Sequence, residues 1–156
     1  MNLFKSLTIA LAAFFFTEQL PAQERQPVDY VNPYIGTDRS VHRTVWETNG
    51  ATFPGVLAPF GLVQITPENY VYTNNKIQSF SILDHFSGWT SKGNFKVMVS
   101  TDSSNPASIA QPSAFRHSTE KTTPYYYSVL LDDTNIKTEY TATQRVAYFR
   151  FSFPAH

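Results

Sequence analysis

The chain contains no cysteine and no excess of either charge, with Lys+Arg 12 against Asp+Glu 12 in 156 residues. Without cysteine there is no disulfide framework, no thiol nucleophile and no zinc site of the cysteine type. Balanced charge with no basic cluster excludes a nucleic-acid partner held by phosphate neutralisation. An acidic tail is missing as well. So are a Gly-rich phosphate loop, a Gly-x-Ser-x-Gly elbow and a His-Glu-x-x-His pair. No internal repeat or heptad pattern occurs, and no apolar run is long enough to span a bilayer. What is present is aromatic: Phe 13, Tyr 9 and Trp 2, in a composition 42% hydrophobic. That is enough apolar material for a packed core, at a length suited to one domain, and it argues against disorder.

Residues 1–22 read as an address. Lys5 precedes an apolar-leaning run from Leu7 to Phe16, and Thr17, Glu18 and Gln19 then break it before Leu20-Pro21-Ala22. The run is shorter than the roughly 20 residues a bilayer requires, so a signal peptide cleaved after Ala22 or Gln23 is expected. An uncleaved anchor or a buried helix is the alternative. With no cysteine at the cleavage point there is no lipidation site, and the mature chain is expected to be exported, to the periplasm or beyond, with no membrane partner.

The mature part, 23–156, is punctuated by Pro, Gly, Asn and Asp and carries no sustained 3.6-residue apolar stripe, so strands dominate. Tyr125 to Leu131 reads as a strand, Asp132-Asp133-Thr134-Asn135 as a turn, and Ile136 to Ala142 as a second strand with Ile136, Thr138, Tyr140 and Ala142 on one face. Arg145 to Phe153 is the third, with Ala147, Phe149, Phe151 and Phe153 on one face. Upstream, Phe60–Thr66, Ile77–Leu83 and Phe95–Val99 are strand-like, Thr101–Gln111 reads as a surface loop, and Thr37–Gly50 as an exposed one. Short strands at roughly 10-residue spacing point to an all-β fold, an antiparallel sandwich or barrel.

Catalytic carboxylates for glycoside hydrolysis flank a sugar roughly 5 to 10 Å apart, and here the carboxylates are scattered. Asp132-Asp133 is expected to cap a turn, and Glu120 and Glu139 are expected to face solvent. His42, His117 and His156 read as surface residues. The segment Phe80 to Thr90 differs, because Asp84, His85, Ser87 and Trp89 fall close together beside Gly88. Carboxylate and imidazole bonds to hydroxyls, with an aromatic face for the sugar ring, are what a saccharide site requires. A structural Asp84–His85 pair with Trp89 in a core is the other reading, and both stay open on the residues alone.

Three stretches resemble glycoside hydrolase family 92, exported alpha-mannosidases. Tyr30-Val31-Asn32-Pro33-Tyr34-Ile35-Gly36-Thr37 is similar to the family's Val-Asn-Pro-Phe-Ile-Gly-Thr opening. Thr52-Phe53-Pro54-Gly55, followed by Pro59-Phe60-Gly61-Leu62-Val63-Gln64, resembles its Thr-Phe-Pro-Gly-Ala-x-x-Pro-Phe-Gly-Met-Val-Gln run. Pro124-Tyr125-Tyr126-Tyr127-Ser128-Val129, Tyr140-Thr141-Ala142-Thr143 and Phe149-Arg150-Phe151-Ser152-Phe153-Pro154 follow its Gly-Tyr-Tyr-x-Val, Leu-Thr-Ala-Thr and His-Arg-Phe-x-Phe-Pro order. The family's Phe-Ser-His-x-His-Leu-Ser-Gly run stands here as Phe80 to Gly88 with one residue inserted, which carries over His85, Ser87 and Gly88. Asp84 and Trp89 rest on the chemical argument alone.

The resemblance implies a supersandwich-like β-sandwich ahead of a helical (α/α)6 domain, with inversion of configuration, calcium, and both catalytic carboxylates on the helical part. By that likeness residues 23–156 are an N-terminal sandwich incomplete at its C-terminus. They hold no catalytic residue and no cofactor of their own, calcium belonging to the full-length family. The expected role is to form a sugar pocket for a mannoside-like glycan together with a helical catalytic domain absent from this chain, which alone would be inactive. The substrate-binding residues expected are His85, Trp89, Asp84 and Ser87. A stand-alone exported carbohydrate-binding module without catalysis is the alternative.

Overall fold

A computed structural model describes residues 24–38, 52–68, 70–82, 95–102, 104–105, 107 and 111–155. The proposed signal segment 1–22, the loop containing His42, the candidate residues Asp84, His85, Ser87 and Trp89, and His156 lie outside the described residues.

The described chain is all-β, with no α-helix and hence no helix long and apolar enough to cross a membrane among the described residues. Ten strands form three antiparallel sheets. The first takes β1 (Val56–Leu57), β2 (Gln64–Pro67), β4 (Phe80–Ile82) and β5 (Phe95–Val97) in the order β1-β2-β4-β5. The second takes β7 (Lys121–Thr123), β8 (Tyr126–Leu131), β9 (Ile136–Ala142) and β10 (Ala147–Ser152) in the order β10-β9-β8-β7. A small third sheet pairs β3 (Lys76–Ile77) with β6 (Ser113–Ala114). The expected Ile77–Leu83 strand is therefore two. Ile77 pairs with Ser113, whereas Phe80 to Ile82 pair with β2 and β5, so the chain changes sheets at Gln78-Ser79.

The second sheet is a meander of neighbours in sequence. At the β8–β9 turn Asn135 adopts φ 53, a left-handed conformation that Asn tolerates better than most residues. Asp133 accepts the Ala114 N–H at 2.8 Å and Asp132 pairs with Arg116 at 3.1 Å, so instead of capping the turn, as expected, the two carboxylates tie it to the Ala114–Arg116 stretch.

β1 and β2 pack on β9, placing the first sheet over the second. The β8 and β9 residues Tyr127, Val129, Leu131 and Tyr140 share one core with Val56, Ile65 and Phe80, and Ile136 and Thr138 are buried as well. Tyr127 and Tyr140 stack with centroids 4.8 Å apart, and Phe80 stands edge-on to Tyr140 at 5.6 Å, a favoured aromatic geometry. The inward face of β10 is covered less fully: Ala147, Phe149 and Phe151 are half-buried and Phe153 is exposed. Thr37 departs from the expected exposed loop, being buried and donating its hydroxyl to the Tyr34 carbonyl at 2.8 Å.

Candidate functional site

The saccharide-binding candidates Asp84, His85, Ser87 and Trp89 lie outside the described residues, in the segment that joins β4 to β5. The strands at both of its ends are fixed. Phe80 and Ser81 are buried on β4 between β2 and β5, in the register Phe80↔Pro67 and Phe80↔Val97. Glu68, just past β2, is buried, and its carboxylate accepts bonds from the Ser79 hydroxyl before β4 and from the Lys96 ammonium on β5. A buried carboxylate is tolerable only when so partnered. Glu68 thereby ties the entrance of the candidate segment to its exit.

A second carboxylate cluster was not foreseen. Glu120 closes the 3-10 turn His117–Thr119, and its side chain is fully buried, against the expectation that it faces solvent. Its oxygens accept the Tyr127 hydroxyl at 2.6 Å and the Tyr70 hydroxyl at 3.0 Å, and lie 2.7 Å from His117 Nδ1. His117, expected at the surface, is half-buried. Its Nε2 lies 2.6 Å from the Tyr72 carbonyl oxygen, and its ring stacks on Tyr72 at 4.3 Å. Burial and then the Glu120 charge push the Tyr34 and Tyr70 hydroxyls well above their ordinary range, which keeps them protonated as donors. Every oxygen of this carboxylate is engaged in the core. It joins the Tyr34 turn, the Tyr70–Tyr72 stretch and β8, a structural role.

Glu139 is also buried where an outward, solvated position was expected. It does point away from the core, as strand alternation requires, but its neighbours close over it. Arg150, directly opposite on β10, donates through Nε at 2.7 Å and Nη2 at 2.8 Å. The Tyr126 hydroxyl and Lys137, the latter at 3.1 Å, complete the set. The Arg150 fork, then the Tyr126 hydroxyl, lower the Glu139 carboxyl to about 2, as expected when hydrogen bonds favour the charged form.

Periodicity placed Glu139 on the outer face. The signal for its burial was the β9–β10 register, which sets Arg150 beside it.

Comparison with known proteins settles the lineage. The family model described as the glycosyl hydrolase family 92 N-terminal domain matches residues 30–156. The chain belongs to that family. Among solved structures, the family GH92 inverting mannosidase BT2199 from Bacteroides thetaiotaomicron is similar at 30% identity with a TM-score of 0.66, over 83% of this chain and 19% of that one. The family GH92 alpha-mannosidase BT3965 from the same organism is similar at 28% identity with a TM-score of 0.59, over 81% of this chain and 18% of that one. The latter is also known in complex with mannoimidazole. The family 92 glycosyl hydrolase ccman5, at 22% identity and a TM-score of 0.63, shares the fold. Among curated proteins no match is found. This family 92 sandwich thus spans about a fifth of the length of the solved mannosidases it resembles.

Within the described part of this family 92 domain, no three His, Asp or Glu side chains converge as metal ligands. Glu68, Glu120 and Glu139 are each taken up by protein donors.

Proposed function

We propose that this chain is the pocket-shaping sandwich of an exported, mannoside-directed glycoside hydrolase, whose helical, calcium-bearing catalytic part lies outside it. The observation that carries this reading is the family 92 N-terminal match over residues 30–156. Similar solved proteins described as an alpha-mannosidase and an inverting mannosidase supply the substrate class. The fixed strands β4 and β5 support the role of the segment between them, in which His85 donates a hydrogen bond to a sugar hydroxyl and Asp84, Ser87 and Trp89 shape the rim. Inverting hydrolysis requires two carboxylates with a water between them, and the described buried carboxylates are already bonded to protein donors.

The test is an assay of the 156-residue chain on an aryl alpha-mannoside. No turnover above the uncatalysed rate is expected, and turnover by the chain alone would overturn the reading.

A further inference from the structure

The outer face of the β7–β10 sheet presents groups that the pocket role leaves unused. Strand alternation turns Tyr126, Glu139, Thr141, Tyr148 and Arg150 away from the core, and the register sets Tyr148 beside Thr141 and Arg150 beside Glu139. These five line an open cleft of about 210 Å³. A wider depression of about 570 Å³ adjoins it through the shared Tyr126 and Thr141, and adds Asp29, Lys121 and Tyr125. Tyr148 is 54% exposed and Tyr125 is 50% exposed, so aromatic surface is offered in both hollows. The Thr141 hydroxyl donates to the Tyr125 carbonyl at 2.7 Å and ties the two together.

The charges on this floor largely cancel. Glu139 is saturated by Arg150, Lys137 and Tyr126, and the Asp29 carboxylate accepts the Gln26 N–H at 2.8 Å. In the narrow cleft an anionic or cationic ligand would have to break the bidentate Arg150–Glu139 pair, at the cost of a charge-assisted bond, and in the wider depression Asp29 and Lys121 supply one charge of each sign, so no net charge there favours an ion. A neutral polyol has no such requirement. Its hydroxyls can both donate and accept, its C–H face is apolar, and it fits a floor of paired charges bordered by tyrosine rings.

We infer that this face is a second saccharide-binding site, taking a neutral oligosaccharide that stacks on Tyr148 and Tyr125 and bonds its hydroxyls over the Arg150–Glu139 pair. It goes beyond the pocket role, since its residues lie on β8 to β10 and before β8, whereas His85 and Trp89 fall between β4 and β5.

The experiment is a heteronuclear NMR titration of the full chain with mannobiose and cellobiose as neutral probes and digalacturonate as an acidic one. Saturable shifts at Thr141, Tyr148 and Arg150 with a neutral probe are expected. They should weaken about tenfold in Tyr148→Ala and persist in Tyr148→Trp, which keeps the aromatic face at this exposed position. Shifts confined to Asp84–Trp89 would overturn this inference while supporting the pocket. Outer-face shifts without any at Asp84–Trp89 would support the inference without bearing on the pocket, which needs the helical part. Binding of digalacturonate alone, neutral binding unchanged in Tyr148→Ala, or no shift at millimolar probe would each overturn it.

Discussion

At the scale of single residues, the three buried glutamates carry much of the specificity of the structure. Glu120 meets Tyr70, Tyr127 and His117, so Glu120→Ala strands the hydroxyls of two buried tyrosines and removes the partner of a half-buried imidazole. A loss of about 3–5 kcal/mol is expected for breaking such a buried network, whereas Tyr127→Phe, which removes one donor, should cost about 1–3 kcal/mol. Urea unfolding measures both, and equal effects would contradict the network. Glu139 makes a pH prediction. Its carboxyl falls from 4.5 to about 2 in the folded chain, so its stabilisation is fully present above about pH 4.5 and fades as pH drops toward 2. The wild-type chain should therefore melt above Glu139→Gln at neutral pH, with the gap narrowing below pH 4.5. A gap independent of pH would refute the assignment. None of these partnerships was legible in the sequence. Alternation says which face a glutamate takes, but not that Arg150 closes over it or that two tyrosines from distant segments reach it.

At the scale of elements, the second sheet was the most legible part. β9 (Ile136–Ala142) appears with the bounds its alternation indicates, and β8 and β10 are shorter than expected by one to two residues at their ends. Local turns connect these strands, so each carries its own signal. The first sheet was less legible, because its strands are two to four residues long and are fixed by partners distant in sequence. The Phe60–Thr66 expectation also missed a turn. Phe60 adopts φ 56, and Gly61 donates its N–H to the Ala58 carbonyl at 2.8 Å, which delays β2 to Gln64. A Cβ on Gly61 would lie 2.8 Å from that same oxygen, so the Phe-Gly order serves the turn. Phe80 links the two sheets through Tyr140 and Tyr127. Phe80→Ala should cost about 3–5 kcal/mol. A double-mutant cycle with Tyr140→Leu should show coupling of about 0.5–1.5 kcal/mol, and strict additivity would mean that the rings do not act together.

At the scale of the whole molecule, family 92 membership and modest length together define the account. The matched region occupies 18–19% of the solved mannosidases BT3965 and BT2199. Among the described residues β10 forms one edge of its sheet, with Phe149 and Phe151 half-buried and Phe153 exposed beside it. Such an edge offers unpaired backbone groups and apolar surface to further structure. The sequence made the family legible through runs such as Thr52-Phe53-Pro54-Gly55 and Pro59-Phe60-Gly61. It named His85 and Ser87 through the family's run and Asp84 and Trp89 by chemistry alone.

In the function proposed, this sandwich shapes a mannoside pocket through His85. The most direct measurement replaces the corresponding N-terminal segment of the BT2199 mannosidase with residues 30–156 and follows aryl alpha-mannoside hydrolysis by the folded chimera, with and without His85→Ala. Hydrolysis by the chimera is expected, with a fall in kcat/KM of at least about tenfold on losing His85, the scale of one hydrogen bond. A folded chimera without activity, or one indifferent to His85→Ala, would contradict it.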